Sequence, residues 1–452
     1  MLNIIERSPG RTIAIVGAVF VLVYLAAFTT VSAGRRPING DAIQYYAYLR
    51  SIVFDRDLDF RNDYARLYGG TGDPSANVWE RERTATGRAP NQMSIGPAIA
   101  WAPFYLAVYA LLAGLAAAGV PVAVDGFSRV FQLSAGVAGI FYASLGAYLC
   151  YRVAALTYPR QSALWATLVA WLATSALYYS AISPAYSHAV SMCAVALFVF
   201  VWMRGGGRVD VRHFALLGAL GALAALMRWQ DAVVLILPAV DLARALRNRT
   251  QAATTIIAST GALAVAALLL ALPQLAAWRT LYGSWIAMPQ GAGFMQWTAP
   301  AILSVLLSPR HGLWLWTPAV LVASAGLPLA YARDRYRIGL LILLFAIAIY
   351  VNAAVSDWWA GEAFGARRFV GYTVIFTLGL AAILGRLESS QHVRTLRTAA
   401  IALIAYNALF VLQYQTFAHG HTQLAPYPTT LQQILVDRLI LPFKILHAWF
   451  GA

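Results

Sequence analysis

Apolar runs close to 20 residues long recur along this sequence, and a run of that length leaves the backbone few options. About 20 apolar residues in helical conformation cover the ~30 Å hydrocarbon layer of a bilayer, and inside that layer the backbone must satisfy its own hydrogen bonds. Such runs fall at residues 12–33, 128–150, 162–180, 187–203, 213–228, 230–245, 253–276, 313–331, 338–355, 369–386 and 398–415. The expected fold class is an all-α polytopic membrane protein with about 11–12 transmembrane helices.

Composition agrees. Hydrophobic residues make up 60% of the 452 and charged ones 11%, against roughly 25% charged in a soluble domain. Mean hydropathy is +0.64. The net charge of +15 would suggest a nucleic-acid partner in a soluble chain. Here the arginines sit in short loops between apolar runs, where they set orientation, so membrane lipid is the expected partner and nucleic acid is not. Lys444 is the only lysine. Cys150 and Cys193 lie inside apolar segments and read as small core residues.

Arg7 and Arg11 precede the first run and place the N-terminus in the cytoplasm. Val31-Ser32-Ala33 has the form of a signal-peptidase site, but the run before it exceeds the ~7–15 residues of a signal peptide. An uncleaved first helix is expected. Arg152 and Arg160, then Arg204, Arg208 and Arg212, then Arg244, Arg247 and Arg249, then Arg333, Arg335 and Arg337, then Arg386, Arg394 and Arg397 mark alternate loops as cytoplasmic. The alternation holds through a bundle at 128–415 and fails if residues 95–117 cross once. Pro97 and Pro103 interrupt that run, so a re-entrant hairpin or an interfacial pair of short helices is expected there, with an even number of crossings. Residues 34–94 then form a first periplasmic loop, carrying eight of the eighteen acidic residues. Residues 431–450 read as an amphipathic surface helix or a twelfth span.

Within the first loop Ile43, Tyr46, Leu49 and Val53 recur at helical spacing after Asn39, a plausible N-cap. They predict an amphipathic helix over 41–54 lying on the membrane, with Asp41 in its first turn and Tyr45 one turn on. Asp55, Asp57 and Asp59 follow at alternate positions. On one side of an extended segment they can hold a divalent cation (Mg, Mn or Ca) through oxygen ligands. Asp55 and Asp57 are the candidate metal ligands, and pairing with Arg56 and Arg61 is the alternative. The segment is not an EF-hand, because Phe60 and Arg66 stand where Gly and Glu are needed.

The later outward loops carry Ser183 to His188, Arg228 to Asp231, Ser308 to Gly312 and Asp357 to Arg368. Cytoplasmic loops hold mainly Arg, whereas these hold Asp, Glu, His, Gln, Trp and Arg together. Ionisable residues at membrane depth are costly and mark function. Arg228, Arg310, Arg367 and Arg368 also oppose the positive-inside bias. A guanidinium forks onto phosphate, and a phosphate at the outer surface points to a polyprenyl-linked lipid. Internal pairing with Asp231 and Glu362 is the rival. His188, His311, Trp358, Glu362 and Tyr45 complete the candidate substrate contacts.

The stretch from Gly40-Asp41 to Tyr64, Ser308-Pro309-Arg310-His311-Gly312 and Phe364-Gly365-Ala366-Arg367-Arg368-Phe369 resemble recurring elements of GT-C glycosyltransferases. The nearer likeness is to the protein-mannosyltransferase and aminoarabinose-transferase branch. The resemblance implies a GT-C-like bundle with a helical first loop in a bacterial inner membrane. It also implies inverting transfer of a hexose or pentose from a polyprenyl-phosphate donor to a glycan, lipid or protein acceptor on the periplasmic side. By that likeness Asp41 is the base and the arginines hold the phosphate. Relatives often have Glu directly after this Asp, whereas Ala42 stands here, so Asp55 or Asp57 would have to supply any second acid. The alternatives are a flippase or transporter of lipid-linked sugars, an O-antigen ligase or polymerase using a diphosphate-linked glycan, and a non-catalytic partner in a cell-envelope complex.

Overall fold

A computed structural model describes residues 8–28, 36–69, 82–361, 363–387 and 393–450. The possible cleavage site at 31–33, Asp73, Glu80 and Glu362 lie outside the described residues. Among those described, the elements are helical and eight helices are long and apolar enough to cross a membrane: Pro9–Ala26, Gly96–Ala117, Arg129–Ala154, Ser187–Gly205, Ala253–Tyr282, Arg335–Ala353, Arg367–Leu387 and Arg394–Ala418. The protein is a helical polytopic membrane protein.

Spans expected at four other places are shorter or interrupted. Residues 162–180 form two helices, Arg160–Leu172 and Ser175–Ala181. Residues 213–228 form the single helix Val211–Met227. Residues 230–245 begin as a 3₁₀ turn, Trp229–Leu235, before the helix Ile236–Arg247. Residues 313–331 divide at Thr317 into Leu313–Trp316 and Pro318–Arg333.

The chain forms two compact units. One comprises Met1–Ile13, Ala147–Tyr179 and Gly293–Ala452, the other Ala14–Gly146 and Ser180–Ala292. In the first unit, small residues let Pro318–Arg333 and Thr373–Leu387 approach closely. A Cβ on Gly326 would lie 2.1 Å from the Gly379 carbonyl oxygen, and one on Gly379 would lie 2.0 Å from that of Ala323. Close backbone approach through small residues is how helices pack without a hydrophobic driving force. The break at 173–174 is satisfied from a neighbouring helix: the Asn407 amide donates to the carbonyls of Leu172 (2.9 Å) and Thr174 (3.0 Å). The Thr174 hydroxyl accepts from the Ala176 N–H at 3.2 Å and so starts the next helix. Freed carbonyls away from water cost about 1–3 kcal/mol each. Asn407→Leu should therefore destabilise the fold by about 2–4 kcal/mol, read as a lower thermal midpoint in detergent; an unchanged midpoint would mean water reaches those carbonyls.

In the second unit, Val211–Met227 lies against Ala253–Tyr282, where a Cβ on Gly218 would meet the Leu263 carbonyl oxygen at 2.1 Å. The first loop laces over the end of Ala253–Tyr282. Thr86 donates to the Leu281 carbonyl at 2.7 Å, and the Asn91 N–H donates to the Tyr282 hydroxyl at 3.1 Å.

Residues 96–117 correct the expectation of a hairpin or two short helices, because they form one continuous helix. Pro97 falls in its first turn, where no intrahelical N–H bond is lost, and Pro103 is carried inside. The start of this helix lies beside the middle of Arg129–Ala154, where Tyr142 donates to the Ala100 carbonyl at 3.1 Å. It runs antiparallel from there, with Tyr105 against Phe131 at 4.9 Å. The chain then folds back until the Gly126 carbonyl accepts from Tyr105 at 3.3 Å.

The C-terminal run also differs from a single helix. It breaks at Val436 into Leu431–Leu435 and Asp437–Phe450. The latter has 14 residues, short of the ~20 a span requires.

Candidate functional site

The candidate residues gather in two places, one in each unit. In the first unit, Ser308 to Gly312 joins Ile302–Leu307 to Leu313–Trp316 and carries His311 in a left-handed conformation, φ 64°. His311 is buried against Trp316, with ring centroids 4.6 Å apart. Its Nδ1 meets the Trp359 carbonyl at 2.5 Å and its Nε2 meets the Tyr427 hydroxyl at 2.5 Å. A carbonyl can only accept, so Nδ1 carries the proton and Nε2 accepts from Tyr427. Burial lowers the His311 pKa to about 4; the Trp359 bond opposes this, and Arg367 and Arg310 reinforce it. At neutral pH His311 is an uncharged brace between two loops.

The braced loop turns sharply. Ala360 and Gly361 both have positive φ, and the Ala360 N–H donates to the Asp357 carbonyl at 2.7 Å. This turn presents Asp357 and Ala360 to the two arginines that follow. Arg368 donates to the Asp357 carboxylate at 2.7 Å and carbonyl at 3.0 Å, and Arg367 donates to the Ala360 carbonyl at 3.1 Å. Pairing with Glu362, the rival reading from sequence, falls outside the described residues. Arg310 is exposed, its guanidinium carbon 4.2 Å from the centre of the Trp359 ring. Trp358, Trp359, His311, Arg367 and Arg368 line an open crevice of about 240 Å³, including the solvent at its mouth. Arg310, Arg367 and Arg368 thus surround one loop, with Asp357 paired to Arg368. A guanidinium forks onto phosphate.

In the second unit, Asp41 opens the helix Asp41–Arg50, which continues as a π-helical turn, Ser51–Asp55. The expected helix is present, but it does not lie on a surface: residues 42–50 are all buried. Its N-cap is Gly40, at φ 52° and ψ −134°, and not Asn39. Only glycine tolerates that conformation comfortably, and a Cβ there would lie 2.5 Å from the Tyr186 hydroxyl oxygen. Asp41 is half-buried. Four residues on, the Tyr45 hydroxyl donates to Ser187 Oγ at 2.9 Å.

Arg228 joins the same network. It donates to Ser187 Oγ at 3.2 Å, His188 Nδ1 at 3.0 Å and Gln230 Oε1 at 2.6 Å. Because arginine only donates, His188 accepts at Nδ1 and carries its proton on Nε2. Tyr186 stacks on the His188 ring at 6.2 Å. Asp231 does not pair with Arg228 through its carboxylate, as the spacing suggested. The 3₁₀ turn directs it to Ser191, whose hydroxyl donates to it at 2.6 Å.

Asp55 and Asp57 are engaged apart from one another. Asp55 pairs with Arg50 and accepts from Asn62 at 2.8 Å. Asp57 accepts from Ser51 at 2.7 Å and from the Asp59 N–H at 3.0 Å. The segment bends through Arg56, at φ 60°, so the alternating carboxylates do not share one side of an extended chain. Among the described residues no three metal-ligating groups come together.

Asp63 behaves differently from its neighbours. It is wholly buried and neither carboxylate oxygen has a hydrogen-bond partner, although Arg50 lies 3.7 Å away. Burial raises its pKa to about 7, Arg50 lowers it, and Asp55 and Asp57 raise it. The folded protein therefore holds this proton more tightly than the unfolded chain, whose value is ~3.9. The contribution of Asp63 to stability should fall as pH rises between about 4 and 7, opposed over much of that range by His311, whose lowered pKa makes its own contribution rise with pH. Thermal unfolding of both proteins across that range should show the stability difference shifting in favour of Asp63→Asn as pH rises.

Tyr427 was missed from sequence, whereas Ser187 and Gln230 lie in the loops singled out there without a role of their own. Tyr427 sits between Pro426 and Pro428, a setting that stiffens the backbone on both sides and was the available signal. The sequence matches no protein-family model and no curated protein.

Proposed function

We propose that the chain is an inverting membrane glycosyltransferase that moves a sugar from a polyprenyl-phosphate donor to a periplasmic, lipid or glycan acceptor. The observation that carries this reading is the crevice in which Arg367 and Arg368, beside Arg310, surround the loop from Asp357 to Ala360. In the proposed reaction Asp41 takes the proton of the acceptor hydroxyl as the new O–C1 bond forms. The C1–O bond to phosphate breaks, and the guanidiniums meet the charge that develops on the leaving phosphate. Arg228, His188 and Tyr45 are the proposed acceptor contacts. No step is assigned to a metal.

The proposed location is a bacterial inner membrane, with the N-terminus cytoplasmic and the chemistry periplasmic.

A second reading has its own observation. Transporters use discontinuous helices, and this chain interrupts helices at 173–174 and at Thr317. A flippase would bind the same phosphate without cleaving it. Deleting the gene in its host separates the two. A transferase predicts that intact sugar-linked polyprenyl phosphate accumulates on the periplasmic leaflet and that an Asp41→Asn copy fails to clear it. Accumulation on the cytoplasmic leaflet, cleared by that copy, would favour transport.

A further inference from the structure

A guanidinium with no oxygen to bond lies at the start of the last helix. Arg438 is wholly buried, and its Nε and both terminal nitrogens have no hydrogen-bond partner. Its neighbours are ring faces: its guanidinium carbon lies 3.6 Å from the centre of the Phe410 ring and 4.2 Å from that of Tyr406. Cation–π attraction offsets part of the lost hydration, but a guanidinium carries five N–H donors and rings satisfy few of them. A buried charge is tolerated where an opposite charge reaches it. Among the described residues no carboxylate pairs with Arg438; the adjacent Asp437 is half-buried and makes no ion pair with it.

The helix that carries Arg438 points to the source of that charge. Asp437–Phe450 buries only Arg438 and Leu441 and exposes Leu439, Ile440, Phe443, Leu446, Trp449 and Phe450. An apolar face of this width on a helix too short to span is suited to acyl chains at a membrane interface. Arg438 is flanked by half-buried Asp437 and exposed Leu439, so it lies one residue from the surface on either side.

We infer that Arg438 anchors the phosphate of an anionic phospholipid whose acyl chains lie along Asp437–Phe450. The phosphodiester oxygens accept two N–H donors from one edge of the guanidinium, while Phe410 and Tyr406 fix the plane of the group. This site shares no residue with the proposed donor crevice and stands or falls independently of the transferase reading.

The test is native mass spectrometry of the full-length protein, titrated with phosphatidylglycerol and with phosphatidylcholine, together with its thermal midpoint in each lipid and in inorganic phosphate. The wild type should retain one phosphatidylglycerol under conditions that strip phosphatidylcholine. Arg438→Met should weaken that retention ~10-fold or more, with Arg438→Lys intermediate. Should Arg438→Met fail to fold, the wild-type arm decides: phosphatidylglycerol must raise the midpoint above phosphatidylcholine, and inorganic phosphate must not match it. Equal retention by Arg438→Met, no preference in the wild type, or full stabilisation by inorganic phosphate would each overturn the assignment.

Discussion

Asp41→Asn is expected to lower sugar transfer by ~10²–10⁴-fold, the usual contribution of a general base, while the protein stays folded and still binds donor. The substitution keeps the size of the side chain and removes its charge and basicity. As a carboxylate in a first turn, Asp41 contributes ~0.3–1 kcal/mol through the helix dipole. A base acts in the transition state, so kcat should fall with KM nearly unchanged. Donor binding, measured separately, should match the wild type. A folded Asp41→Asn protein that turns over within a few-fold of wild type would remove Asp41 from the chemistry.

The second large effect belongs to the guanidinium crevice. Arg367→Ala and Arg368→Ala should each reduce kcat by ~10²–10³-fold, as losing a donor to developing charge does. Lysine should restore only part, since it lacks the planar fork. Arg368 also pairs with Asp357, so its loss has a structural explanation that must be separated. A double-mutant cycle does this. If Arg368 serves only to hold Asp357, then Asp357→Asn should be as damaging as Arg368→Ala, and the double variant no worse than either. If Arg368 meets the phosphate, Arg368→Ala should be clearly the more severe. Steady-state kinetics of the three variants decides.

The long helices were legible because bilayer thickness imposes one length. The run at 187–203 became Ser187–Gly205, and that at 338–355 became Arg335–Ala353. The interruptions were not legible. Thr174 and Asn407 are separated by more than two hundred residues, and the break between Leu172 and Ser175 is satisfied only when they meet. Pro97 and Pro103 misled for a related reason: proline removes only its own N–H, which costs no intrahelical bond in the first turn after Gly96 and a single one at Pro103. In the sites, arginine loops stood out against the positive-inside bias, yet their partners did not. Arg228 turned away from the Asp231 carboxylate because a 3₁₀ turn replaced the helical spacing assumed for the pair. Asp55 and Asp57 bond different partners where the chain bends at Arg56. Local spacing predicts contacts only where the local conformation is the one assumed.

The central claim is that this protein breaks the sugar–phosphate bond of a lipid-linked donor. Purified wild type in proteoliposomes, supplied with polyprenyl-phosphate sugars and a membrane extract as acceptor source, tests it most directly. The account predicts release of free polyprenyl phosphate and a product sugar of inverted anomeric configuration, both lost in Asp41→Asn. Intact donor moving across the bilayer, with no polyprenyl phosphate released, would contradict it.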